Sequence, residues 1–106
     1  MSLDVYLKID DTTVYEANIT HNVNGMAEAA GCYCELWRPD EIGIEKGAQL
    51  IEPLKRSLMT LVSDPVRFEA MNPDNGWGSY DGLVRFVTAY LKACIQHPDA
   101  DVSACR

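Results

Sequence analysis

The stretch SLDVYLKI, residues 2 to 9, alternates apolar and polar side chains without a break: Leu3, Val5, Leu7 and Ile9 against Asp4, Tyr6 and Lys8. Successive side chains of a strand point to opposite faces, so this pattern is a strand with one face to bury. Asp10 and Asp11 offer a tight turn, after which Thr12 to Ile19 returns with Tyr15, Ala17 and Ile19 on a shared face. A two-stranded hairpin alone is marginal in water and needs a third strand or a covering helix. Residues 101 to 105, DVSAC, follow the turn-like His97-Pro98-Asp99-Ala100 and are the candidate third strand, with Val102 and Ala104 facing inward.

Between the strands the apolar period becomes helical. Met26, Ala29, Ala30, Tyr33, Leu36 and Trp37 predict a first helix over roughly Val23 to Trp37. Asn22 or Asn24 can cap it, Gly31 weakens it mildly, and Arg38-Pro39 stops it, because the residue before a proline is pushed out of helical space. Leu50, Ile51, Leu54, Leu58, Leu61 and Val62 predict a second helix, either kinked at Pro53 or beginning near Glu52 with Pro53 in its first turn. Asp64-Pro65 opens a short helix through Met71. Ser79 caps a last one whose core stripe is Leu83, Phe86, Val87, Tyr90, Leu91 and Cys94. The expectation is α+β: a small antiparallel sheet, N-terminal hairpin plus C-terminal strand, covered by about four helices. A chain of 106 residues holds one sizeable core, so residues 1–106 read as a single domain.

Composition narrows the function. At 47% hydrophobic and 24% charged residues the chain belongs with globular proteins, and its apolar runs are too short for a membrane span or signal-peptide core, so the expected compartment is the cytoplasm. A net charge of −7 argues against direct DNA or RNA binding, which needs clustered Lys and Arg to displace counterions. It leaves room for a small anion held by one or two local arginines. The acidic residues are interspersed with Lys and Arg, which suits solubility better than mimicry of nucleic acid.

Three polar clusters stand at element junctions. They are Thr20-His21-Asn22 after the second strand, Trp37-Arg38-Pro39 after the first helix, and Asn75-Gly76-Trp77-Gly78-Ser79-Tyr80 before the last helix. Helix starts expose backbone N–H groups that favour an anion. Arg38 brings a forked donor, Trp37 and Trp77 offer flat faces for stacking, and Gly76 and Gly78 allow close approach of a ligand to the backbone. Each has a plainer use. Thr20 and Asn22 are good caps, Trp37 continues the apolar stripe of its helix, and Arg38 can bond the carbonyls at that helix end. Trp77, between two glycines, is the residue packing explains least.

Catalytic motifs are sparse: there is no G-x-S-x-G, no phosphate-cradling G-x-x-x-x-G-K-[ST] and no H-E-x-x-H. No catalytic residue and no cofactor is assigned, although His21 as a general base keeps a small hydrolase or transferase among the alternatives. Cys32 and Cys34 form C-x-C, whose thiols point about 200° apart on a helix. With Cys94 and Cys105 they are expected to be reduced and metal-free.

The stretches Ile19-Thr20-His21-Asn22, Leu36-Trp37-Arg38-Pro39, Asn75-Gly76-Trp77-Gly78 with Tyr80, and Pro98-Asp99-Ala100 to Arg106 resemble a family of small bacteriophage and prophage proteins. The resemblance spans roughly residues 19 to 106, and members of that family lack the Cys32/Cys34 pair. It implies a phage origin and a role in countering host antiviral defence, for instance by sequestering a nucleotide-type signal. The candidate ligand-binding set, drawn from the three clusters with Arg106 added, is Thr20, His21, Asn22, Trp37, Arg38, Asn75, Gly76, Trp77, Gly78, Tyr80 and Arg106. The expected partner is a small anionic or nucleotide-like ligand; a protein-binding inhibitor of a host enzyme or defence complex is the alternative. Monomer and homo-oligomer both stay open.

Overall fold

The computed structural model describes all residues, 1–106. Strands β1 (Ser2–Ile9), β2 (Thr12–Thr20) and β3 (Asp101–Cys105) form one antiparallel sheet in the order β2-β1-β3. The alternating pattern lies in the central strand, where Leu3, Val5 and Leu7 are completely buried. Ile9 does not join them: the register shifts between Leu7 and Lys8, and Ile9 is left 40% exposed at the hairpin end. Asp10 and Asp11 both take positive φ, 50° and 66°. That is the two-residue turn whose twist matches the flanking strands, and aspartate tolerates it.

Five helices cover the inner face of the sheet: α1 (Asn24–Ala30), α2 (Tyr33–Trp37), α3 (Gly47–Ser63), α4 (Pro65–Glu69) and α5 (Tyr80–Gln96). The expected single helix from Val23 to Trp37 is instead a 3-10 turn at His21–Val23 followed by α1 and α2. Gly31, at φ 86°, ends α1 in the left-handed conformation and redirects the chain, so it is a terminator and more than a weak point. α3 starts five residues before Glu52, with Pro53 inside it. Its start is bonded to the end of the chain: Gly47 N–H donates to the Ala100 carbonyl and Ala48 N–H to that of Pro98, both at 2.9 Å. Gly47 is required there, since a Cβ would lie 2.7 Å from the His97 carbonyl oxygen. α4 ends at Glu69, two residues short of the expected Met71.

Leu50, Leu54, Ser57 and Leu61 line one face of α3 and pack on the expected stripe of α5, all of which is buried. α5 in turn lies on β2, where Tyr90 stacks on Tyr15 at 5.8 Å. α2 packs against β3, and Val102 and Ala104 contact the core. The outer face of the sheet carries polar side chains such as Ser2, Asp4, Glu16 and Asn18. No helix is long and apolar enough to cross a membrane.

Candidate functional site

The end of β2 and the glycine loop meet. Thr20 is in extended conformation, and its Oγ1 accepts from the Asn22 N–H at 3.3 Å, closing the 3-10 turn. His21 continues the hairpin, donating its N–H to the Met1 carbonyl at 3.3 Å. Opposite them, the 72–79 loop is folded by its own side chains. Asn75 Oδ1 accepts from Trp77 N–H at 2.9 Å, and Asn72 Oδ1 accepts from Tyr80 N–H at 2.7 Å. The two glycines do different things. Gly76, at φ 78°, faces open space and serves the turn alone. Gly78, at φ 97°, lies so close to the β2 end that a Cβ would sit 2.6 Å from Thr20 Cγ2 and 2.9 Å from Val23 Cγ1. The absence of a side chain at Gly78 therefore lets the loop dock on the Thr20–Val23 turn. The neighbouring Trp77 ring is left 70% exposed.

Between loop and hairpin lies an open cavity of about 670 Å³, lined by Met1, Ser2, Asn18, Thr20, His21, Asn22 and Trp77. That volume is in the range of small-molecule sites. Its polar lining is hydroxyls, amides and one imidazole. Asn18 Nδ2 is held by Ser2 Oγ at 2.9 Å and Asp4 Oδ1 at 2.8 Å, which leaves its carbonyl oxygen free of those bonds. Met1, Ser2 and Asn18 were not singled out from the sequence. The usable signal was the hairpin register, which sets Ser2 opposite Thr20 and Asp4 opposite Asn18.

The second cluster is elsewhere. Trp37 is only 2% exposed, with Tyr33 stacked on its face at 5.5 Å, so it presents no open platform to a ligand. Its ring is next to that of His21, centroids 6.1 Å apart at 58°. Arg38 does not line the cavity: its Nε donates to the Tyr33 hydroxyl at 3.2 Å and one terminal nitrogen to Glu41 Oε2 at 2.7 Å. The Tyr33 bond first, and Glu41 second, hold its guanidinium more firmly protonated than usual. Arg106 donates to the Trp37 carbonyl at 3.2 Å and lies 3.6 Å from Glu41 and 3.9 Å from Asp40. Both arginines are thus paired with acids of the Pro39–Ile42 turn that follows α2, and neither lines the cavity.

The helix starts are also occupied. At α5, Ser79 Oγ accepts from Gly82 N–H at 3.0 Å while Asn72 takes Tyr80 N–H. Tyr80 itself is buried, its hydroxyl donating to the Leu61 carbonyl at 2.8 Å and its ring stacked on Phe68. Of the residues named from the sequence, Thr20, His21, Asn22 and Trp77 line one cavity, and Asn75, Gly76 and Gly78 shape the loop that carries Trp77. Trp37 and Tyr80 are in the core, and Arg38 and Arg106 form the ion-paired group. The cysteines are all free, with Cys32 and Cys94 buried and Cys105 exposed. No family model matches the chain, nor does any curated protein or solved structure.

Proposed function

We propose that this chain is a non-enzymatic binding protein that takes a small, flat, nucleotide-derived ligand against Trp77. The observation that carries this reading is an exposed tryptophan, fixed by a docked loop, at the wall of a cavity whose other polar side chains are hydroxyls, amides and one imidazole. A heterocycle stacked on Trp77 would meet the amide of Asn22, the hydroxyl of Thr20 and the imidazole of His21 along its edge. Amides and hydroxyls of this kind suit the donors and acceptors of a base. The anionic part of such a ligand has no arginine in the cavity lining, so recognition through the ring carries the affinity. The resemblance to small phage proteins supplies the biological half of the proposal, sequestration of a host defence signal in the cytoplasm of an infected cell.

The 70% exposure of Trp77 favours one other reading, a flat contact with a host protein. Native mass spectrometry of protein recovered from defence-active cells separates the two. A retained mass of a few hundred daltons supports the ligand; a retained protein supports the inhibitor. With purified material, a panel of mononucleotides and cyclic dinucleotides should quench tryptophan emission. Trp77→Ala should weaken binding about 5- to 150-fold, the equivalent of 1–3 kcal/mol for one stacked base. If no member of the panel binds and no mass is retained, the proposal fails.

A further inference from the structure

The two edges of the sheet are finished differently. The bond from His21 N–H to the Met1 carbonyl continues the β1–β2 register and sets its phase: odd residues of β2 turn their backbone groups to β1, and even ones turn theirs away. By the same alternation the even residues of β1 bond β3, which leaves Val102 turned outward, and its N–H donates to the Glu45 carbonyl at 2.8 Å. The Lys46–Asp101 bridge and the bond from Gly47 N–H to the Ala100 carbonyl close that edge further. The β2 edge has no such cover. β2 pairs with β1 alone, the N–H and C=O groups of Glu16 and Asn18 point out of the sheet, and no bond outside the ladders reaches them. Proteins usually blunt an open edge with lysine, proline or a bulge. Residues 15–20, YEANIT, hold neither lysine nor proline, and the one irregularity of the pairing lies beyond them, toward the hairpin turn. On the inner face of this stretch Tyr15 and Ala17 rest on the core yet stay only half-buried.

We infer that this edge pairs with the same edge of a second copy of the chain, antiparallel about a two-fold axis at Ala17, joining two three-stranded sheets into one. Outward-pointing even residues must bond even residues of the other copy, so the axis passes through a residue. Glu16, Ala17 and Asn18 keep it clear of both the irregularity and the strand end. At Glu16 it would set two carboxylates face to face, which is destabilising. At Asn18 it would press the second copy against Thr20, where the 72–79 loop is already docked, and would leave Tyr15 facing His21 in the 3-10 turn. At Ala17 residues 15–19 meet themselves. Glu16 then stands opposite neutral Asn18, Tyr15 opposite Ile19 as a favoured aromatic and β-branched pair, and Ala17, a small side chain, opposite itself where the strands come closest. The apolar rows run on across the seam, Leu7 and Tyr15 of one copy continuing into Ile19 and Leu3 of the other. Such a contact is isologous and closes at two copies. The joined sheet ends on both sides in the covered β3 edge. Glu16 of the second copy also comes to lie beside Asn18 of the cavity lining, but the pairing holds whether or not that cavity takes a ligand.

Sedimentation equilibrium over roughly 1 µM to 1 mM protein should show a reversible monomer–dimer equilibrium, and a chain monomeric throughout that range overturns the inference. Glu16→Pro removes an outward N–H that the β1 ladder does not use, and proline is tolerated at such edge positions. The two-fold repeats the loss, so dimerisation should weaken about tenfold or more while the melting temperature of the dilute protein stays near wild type. A folded Glu16→Pro protein that dimerises as well as wild type overturns the edge as the interface. The register is read without proline by Glu16→Cys, Ala17→Cys and Asn18→Cys, each made in a Cys105→Ser background to remove the exposed native thiol, oxidised with diamide and run on non-reducing gels. Ala17→Cys should give the most covalent dimer, because directly opposite Cβ atoms of an antiparallel pair lie about 4.5–5.5 Å apart, close to disulfide reach. A higher yield from Glu16→Cys or Asn18→Cys refutes the Ala17 axis, and no covalent dimer from any of the three refutes the pairing.

Discussion

Replacing each loop glycine by alanine isolates what docks the loop. Gly76 and Gly78 both have positive φ, 78° and 97°, so both substitutions place a Cβ in a conformation that L-residues avoid, at about 1–2 kcal/mol. Part of that is offset by the lower chain entropy of alanine in the unfolded state, roughly 0.4–1 kcal/mol. There the two sites part. At Gly76 the new methyl meets nothing within 4 Å; at Gly78 it meets Thr20 Cγ2 at 2.6 Å and Val23 Cγ1 at 2.9 Å. Val23 is only 1% exposed and cannot swing away, so Gly78→Ala carries an overpacking term of about 1–3 kcal/mol that Gly76→Ala lacks. At about 5 °C per kcal/mol for a domain of this size, Gly78→Ala should melt roughly 5–15 °C below Gly76→Ala. Differential scanning calorimetry of the two variants beside wild type reads this directly. Equal melting temperatures would mean that the loop is not seated on the Thr20–Val23 turn, and the cavity as described would not exist.

Trp77→Ala should stay folded, with a melting temperature within a few degrees of wild type, because the ring is 70% exposed; a buried tryptophan would cost about 3–5 kcal/mol. Arg38→Ala, which removes an ion pair of 37% and 50% exposed partners, should cost no more than about 1 kcal/mol and leave ligand quenching unchanged, whereas a lost response would place Arg38 in the site. Deleting residues 100 to 106 removes completely buried Ala100, strand β3 and the Arg106 bond to Trp37, and circular dichroism should show a clear loss of thermal stability. Burial pushes the Cys32 and Cys94 thiols from 9.0 up to about 12, so the folded state favours the protonated forms. Their contribution is therefore fully present below pH 9 and is lost as pH rises from there toward 12; urea midpoints at pH 8 and pH 10.5 should differ less in Cys94→Ala than in wild type.

Much of the fold could be read from period and punctuation. The two-residue alternation of Leu3, Val5 and Leu7 marks a strand because those three positions alone have to be dry, and all three are. The α5 stripe is equally plain because no glycine-terminated break or proline interrupts it. Where the reading slipped, a local rule yielded to a tertiary contact. Pro53 left two readings open, a helix running through it with a kink or one starting near Glu52, and bonds from Gly47 and Ala48 to the 98–100 segment exclude the later start: α3 begins at Gly47 with Pro53 inside it. Those bonds link residues some fifty apart, and no window on the sequence contains both ends. Gly31 was visible, but whether a glycine weakens a helix or ends it depends on its φ, here 86°, which the sequence does not show.

The site was legible in a narrower sense, and the reason lies in charge. An arginine in sequence is a free cation until its neighbours are known, and Glu41 lies three positions after Arg38, about one helical turn. The 3-10 turn Pro39–Ile42 after α2 brings that acid, and then Arg106 from the far end of the chain, into one paired group. Once those cations are accounted for, an anion-first picture of recognition loses its anchor in the cavity lining. Thr20, His21, Asn22 and Trp77 together offer the flat face of Trp77 beside a hydroxyl, an amide and an imidazole. A ligand held that way should bind with weak salt dependence, because few counterions are released when no Lys or Arg side chain lines the cavity. Titrating the best mononucleotide probe at 50 and at 500 mM NaCl tests this: a less than threefold change fits ring-led recognition, and a drop of tenfold or more would return Arg38 and Arg106 to the binding site.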